Sequence, residues 1–391
     1  MLEGCFLTAF GSLGIFTVIF IYPLSLQLFC RRNPARAPSD PAVWPTVTII
    51  TAARNAATLL PAKIQNFLEL NYPSECLTLL VASDASTDAT AELIAATCNP
   101  RIRLVEQQER KGKASVMNLA VSEADSDLLL FSDADAILSP NSVRKLARHF
   151  ADPKVGGVCG QRASARSAAR LRDAQQTYIQ LDSALKQIES ARGRISSNDG
   201  KIHMIRRRLF SPIPPDVTDD LYTALSVISQ GNSFLFEPEA VAEVNVPSRN
   251  ARHEVQRRRR IVTRSLTGIF RMRRVLNPTR FGWFSVGLLI NKVGRRLLPF
   301  FLLILAAGLL QMIWSSLYAV LIGLGLVAGL FAVAVYWRVA IRLRSPRLLK
   351  PVALAQYMWA GFVGSGWGVI DFLMGRRVSV WEPKKTEAEG S

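Results

Sequence analysis

An α/β domain carried on apolar helices is the architecture this sequence predicts, and three observations predict it. Between about residues 45 and 268, short β-branched or leucine-rich runs alternate with helical patterns, the signature of a mainly parallel sheet flanked by helices. Residues 4–30 and 297–337 contain no charged side chain at all. The formal charge is +18 while 49% of the residues are hydrophobic, a pairing foreign to a soluble nucleic-acid binder and natural beside a membrane.

The first apolar stretch exceeds the ~20 residues that span a hydrocarbon core. Only Glu3 precedes it, and Arg31, Arg32 and Arg36 follow. That order predicts an uncleaved anchor over residues 1–30 whose N-terminus lies outside and whose chain enters the cytosol. A linker over 31–46 then leads into the α/β domain, expected over 47–268.

In that domain TVTIIT (46–51) reads as a first strand, followed by a helix whose Leu60, Ile64, Phe67 and Leu68 share one face. LTLLVA (77–82) reads as a second strand. It ends in SDASTD (83–88), small polar residues suited to capping the next helix. DLLLFS (127–132) is a third clear strand and delivers Asp133 and Asp135 at its end, before a helix near Pro140. Ligands of open α/β sheets bind at such carboxyl ends.

Beyond the domain, 281–291 is apolar but too short to span. With Trp283 and basic borders, it predicts interfacial helices over 269–296. Residues 297–338 predict a transmembrane hairpin turning at QMIWSS (311–316), with basic residues on both flanks and hence both flanks cytosolic. The last part, 339–391, is expected to hold an interfacial or re-entrant helix, glycine-rich over 351–370 and carrying Asp371, and a cytosolic tail. The whole predicts a multi-pass membrane protein with its α/β domain in the cytosol.

Five cysteines without a CxxC pair and three mutually isolated histidines offer neither a disulfide framework nor a zinc site nor a serine-type triad. Catalysis therefore falls to carboxylates. Asp133 and Asp135, at i and i+2 leaving a strand, can share a hard divalent cation that grips phosphate oxygens, and Asp84 ends a neighbouring strand of the same crevice. Asp219 and Asp220 open a helix with an apolar stripe of Leu221, Leu225 and Ile228, which docks that helix and holds its first turn in place.

These segments resemble, in order, those of the family 2 glycosyltransferases with the GT-A fold, over roughly residues 45–268. TIITAARN (48–55) resembles the nucleotide-binding first strand and VASDASTDAT (81–90) the "DDGSTDxT" segment. RKGKASVMNLA (110–120) resembles the "GKAxALN" helix start, and FSDADA (131–136) supplies the "DxD". SSNDGKIHMIRRRLF (196–210) is similar to the acceptor-side strand, and DVTDDLYTALSVISQGNSFLFEPEA (216–240) to the "TEDxxLxxRLxxxGxxxxYxPxA" block.

The resemblance implies a GT-A fold with membrane helices and an inverting hexosyl transfer. Asp220 is then the catalytic base, Asp133 and Asp135 the holders of Mg²⁺ or Mn²⁺, and Asn55, Asp84, Lys113, Asp133, Gln256, Arg259 and Arg260 the binders of a nucleoside-diphosphate sugar, expected to be a UDP-sugar. The run EVQRRRR (254–260) fits the family's "QxxRW" motif through Gln256 and Arg259 but has Arg260 in place of tryptophan. An "EFxRRxR" register through Glu254, Arg257, Arg258 and Arg260 fits equally, and attraction to anionic lipid is the plainer reading. Ala56 stands where the family has glutamate. VWEP (380–383) resembles the "WxP" tail of polysaccharide-making members.

The acceptor expected from this resemblance is a growing polysaccharide at the membrane. The alternatives are a single transfer to a lipid, such as a polyprenyl phosphate or glycolipid, and a scaffold with a decayed transferase domain. The spans offer little polar lining for a pore, so export would call for an oligomer or a partner subunit. No nucleic-acid partner is expected.

Overall fold

A computed structural model describes residues 2–29, 38–164, 172–244, 251–314 and 346–376. Eight strands, β1 (Val47–Ala53), β2 (Leu77–Asp84), β3 (Ile102–Gln107), β4 (Leu128–Phe131), β5 (Ala136–Leu138), β6 (Val155–Ser164), β7 (His203–Arg206) and β8 (Ser233–Val244), form one sheet in the order β3-β2-β1-β4-β7-β6-β8-β5. Strands β3, β2, β1 and β4 run parallel, β7 is antiparallel to both β4 and β6, and β8 lies parallel to β6. The three strands read from the sequence are β1, β2 and β4. They were legible because they are covered on both faces: Ile50, Leu80 and Leu129 enter the core of one face, and Ile49, Leu79 and Leu130 that of the other. The edge strand β3 (IRLVEQ) escapes such a reading because only its ends are buried.

The apolar helices pack as an antiparallel pair. The first, α1 (Leu2–Phe16), runs through a π-helical turn at Thr17–Ile21 into α2 (Tyr22–Phe29). Two further helices of the α/β domain, α3 (Leu60–Leu68) and α4 (Thr90–Ala95), follow β1 and β2. The spans Glu3–Leu26 and Trp283–Trp314 are both long and apolar enough to cross a membrane. They touch closely at glycines: a Cβ on Gly11 would lie 2.7 Å from the Leu305 nitrogen, and one on Gly308 2.6 Å from that of Thr8. Their outward faces carry uncovered apolar side chains, Phe6 at 70% exposure and Leu303 at 66% among them.

Of the stretch 269–296 expected to form interfacial helices, the part from Trp283 is continuous with the first arm of the expected hairpin, because Trp283–Trp314 is a single helical span, and the part before it belongs to other, shorter elements and the end of Ala251–Arg271. The other arm, and the VWEP segment, lie outside the described residues. The glycine-rich stretch 351–370 belongs to one unbroken helix, Pro346–Leu373, with no re-entrant turn inside it. It lies along the basic helix Ala251–Arg271 at backbone contact. A Cβ on Gly364 would meet the Val255 carbonyl at 2.7 Å, and one on Gly368 that of Arg259 at 2.8 Å.

Candidate active site

β1 has β2 on one side and β4 on the other, so the chain leaves in opposite directions there and opens a crevice at the carboxyl ends of the strands. Two loops line it, each with a residue in the left-handed region, Asn55 (φ 47°) and Ala85 (φ 49°). They are tied together: the Asn55 side-chain oxygen accepts the Thr87 N–H at 2.9 Å, and the Ala56 N–H donates to Thr90 Oγ1 at 3.1 Å. Ala56, in place of the family's glutamate, is buried and brings no charge to the crevice.

Asp84 is fully buried. Its carboxylate accepts the backbone N–H groups of Lys111 (2.9 Å) and Gly112 (3.1 Å) and the Gln107 amide. It therefore shapes the turn that begins α5 (Lys113–Ser122), and through that turn it places Lys113.

Lys113 brings the expected residues together. Its ammonium lies 2.8 Å from Asp133 and 2.7 Å from Asp219, so it joins the end of β4 to the start of α6 (Asp219–Ser229). Against the cost of burial, Lys113 and Lys201 hold the Asp133 carboxyl well below the usual carboxylate range.

Two lysines of this cluster were not singled out from the sequence. Lys201, just ahead of β7, sits 2.8 Å from Asp133 and 2.8 Å from Asp135. Lys63, on α3, is buried and donates to Ser132 Oγ (2.8 Å) and the Ala136 carbonyl (2.7 Å), gripping the loop that carries both aspartates. Burial lowers it to about 7. The signal for Lys63 was a lysine on the buried side of a helix, three residues after Leu60 and four before Phe67. For Lys201 it was a charge directly before a buried strand.

Asp220 lies in the first turn of α6, and Asn198 donates to its backbone carbonyl at 2.8 Å. Burial, and then the adjacent Asp219 charge, push its carboxyl up to about 6. Asp219 is lowered because, against burial, it is paired with Lys113. Two neighbouring carboxylates are thus pulled apart in basicity, as an acid–base site requires. His203, stacked on Phe131, is lowered to about 4 by burial and stays neutral.

The basic run lies on α7 (Ala251–Arg271), where the structure separates its members. Gln256 is exposed. Arg259 is bidentate to Asp371 of α8 (Pro346–Leu373), with its guanidinium also over Trp367. Glu254 is buried and holds Arg258 (2.8 Å) and Arg257 (3.2 Å). Arg260 lies on the helix face of Arg264, one turn on. Arg264 reaches the Val217 carbonyl (2.6 Å), on the approach to Asp219. Arg260 fits the second register and stands at the tryptophan position of the first.

The donor set suits a divalent cation only in part. Asp133 and Asp135 supply hard oxygens, but among the described residues no group of three or more His, Cys, Asp and Glu side chains is placed to hold a metal. A cation seated on two carboxylates takes its remaining ligands from phosphate and water, so the residues fit a metal held jointly with a diphosphate.

A mostly parallel sheet with a switch-point crevice, aspartates at a strand end and a carboxylate of raised basicity across from them have the form of a GT-A-type domain. Residues 48–213 match the family described as Glycosyl transferase family 2. The poly-beta-1,6-N-acetyl-D-glucosamine synthase of Staphylococcus aureus (strain COL) is 24% identical over 208 residues, 51% of this chain and 50% of that protein. An N-acetylglucosaminyltransferase of Sinorhizobium fredii (strain NBRC 101917 / NGR234) is 27% identical over 248 residues, 58% of this chain and 59% of that protein. The chain thus spans about half the length of the relatives it matches. The mannosyltransferase PcManGT from Pyrobaculum calidifontis, solved in complex with GDP-Man and Mn²⁺, superposes with a TM-score of 0.70 over 95% of this chain and 100% of that one. At 23% identity that likeness shows a common fold.

Proposed function

We propose that the protein is an inverting hexosyltransferase that moves a sugar from a UDP-sugar to a growing polysaccharide at the cytosolic face of a bacterial inner membrane. The observation that carries this reading is the pairing of Asp220, raised to about 6, with the Asp133–Lys113–Asp219 chain that leads from the DxD aspartates to its own helix turn. Asn55 and its loop seat the nucleotide, Lys113 and Arg260 meet diphosphate charge, and Asp84 acts through the turn it holds. Arg259 contributes by docking α8, and Gln256 lies at the exposed rim.

Asp133 and Asp135 would hold Mg²⁺ or Mn²⁺, which supplies charge neutralisation for the departing diphosphate. Asp220 takes the proton of the acceptor hydroxyl as that oxygen attacks the anomeric carbon from the face opposite the diphosphate, and the configuration inverts. Asp220→Asn is expected to lower transfer in membranes by about 10²- to 10⁴-fold, the usual worth of a general base, with insertion unchanged. Turnover retained near the wild-type rate would remove Asp220 from this role.

One feature favours a lipid acceptor as a second reading. A cavity of about 220 Å³ lined by Tyr22, Leu26, Glu189, Ser196, Phe281 and Trp283 lies where the apolar helices meet the catalytic domain. Product sizing separates the two readings: a ladder of lengths marks a polymerase, and one discrete lipid-soluble species marks transfer to lipid.

A further inference from the structure

We propose that Lys201 is the resident counter-ion of the Asp133/Asp135 pair, and that a divalent cation displaces it only when it arrives together with a donor diphosphate. The proposal rests on the sugar-transfer reading above.

The Lys201 ammonium is 2.8 Å from Asp133 Oδ2 and 2.8 Å from Asp135 Oδ1. Lys113 lies 2.8 Å from the other oxygen of Asp133. The oxygens a metal needs are therefore already engaged by ammonium groups. The backbone that presents Lys201 is fixed, because Ile202 and His203, which follow it, are fully buried. The lysine's four-carbon stem is the part that can swing, and its side chain retains 16% exposure to the crevice. Lys63 cannot play this part, being sealed behind the loop and tied to Ser132 and Ala136.

Charge sets the order of events. Asp133, Asp135 and Asp219 face Lys113 and Lys201, with Lys63 behind, so the cluster is close to neutral before any ligand arrives. A divalent cation alone adds two positive charges beside ammonium groups and must expel one of them without compensation. Bound with a donor, the same cation meets the two negative charges of the diphosphate, and the released ammonium has phosphate oxygens to turn to. Lys201 thus orders the aspartates ahead of ligand binding and couples metal binding to nucleotide binding.

The test is a Mn²⁺ titration followed by electron paramagnetic resonance on the purified full-length protein, alone and with UDP or GDP. Wild type is expected to bind Mn²⁺ weakly alone and tightly with nucleotide. Lys201→Met is expected to bind nucleotide-free Mn²⁺ at least about tenfold more tightly than wild type, since a like charge has gone from the site. An affinity in Lys201→Met no better than wild type's overturns the proposal. Failure of wild type and variant alike to bind Mn²⁺ even with UDP or GDP overturns the metal–donor reading of the site, and this proposal with it. Should the variant not fold, co-crystals of wild type with Mn²⁺ and UDP decide the matter. The Lys201 ammonium is expected to have left at least one of the two carboxylates, and its presence on both beside the bound metal overturns the proposal.

Discussion

At the scale of the residue, Asp220 shows how position alters an ordinary carboxyl. Burial and the Asp219 charge raise it to about 6, so the protonated form gains as pH falls through that value. The rate of transfer is expected to decline on the acid side with an apparent pKa near 6. In Asp219→Asn the opposing charge is gone and Lys113 is freed from its second partner, so the acid limb is expected to move to lower pH in a pH–rate profile. Ala85 makes a different residue-level point. It stands where the "DDGSTDxT" segment has glycine, yet holds φ at 49°. Since a β-carbon is disfavoured there, Ala85→Gly is expected to raise stability by ~1 kcal/mol, measured by denaturant unfolding of the detergent-solubilised protein.

At the scale of the element, the basic helix Ala251–Arg271 works on two sides. One face sends Arg264 and Arg271 to the loop that precedes α6, where they bind Val217 and Asp216, and the other lies against Pro346–Leu373. Asp371 is fully buried under Arg259. Arg259→Met leaves that carboxylate with less compensation and is expected to cost ~1–2 kcal/mol, discounted because the guanidinium is partly in solvent. Adding Asp371→Leu is expected to recover most of the loss, as a double-mutant cycle by thermal unfolding will read. The sequence showed both partners, the arginine in a basic run and the aspartate in an apolar one. It could not show that they meet, 112 positions apart.

At the scale of the molecule, two antiparallel apolar helices rise from a domain that carries the site. These parts meet through apolar packing, Tyr22 and Leu26 against Leu185, and through hydrogen bonds: Asn291 and Lys292 donate to Ser196 and Ser197, on the segment that leads to Asn198 and so to Asp220. The helices are therefore joined to the turn that carries Asp220. The protein is expected to stay in the membrane pellet after an alkaline carbonate wash. Lys292→Met is expected to lower transfer severalfold while leaving it in that pellet, because it loosens the Ser197 end of this connection.

The repeating signals in the chain were sufficient for the α/β class, three of the strands, the presence of apolar helices and the ordered motifs around Asp133, Asp135, Asp219 and Asp220. Each of these depends on local period or on spacing along the chain, which sequence preserves. The pairing of Lys113 with two aspartates from different elements, the presence of Lys63 and Lys201 around the DxD, the commitment of Arg259 to Asp371 and the use of Asp84 as a turn anchor came only with the tertiary structure. Charges act through space at a few ångströms. Which charges share that distance is decided by how the strands and helices cross, and a linear reading does not contain it.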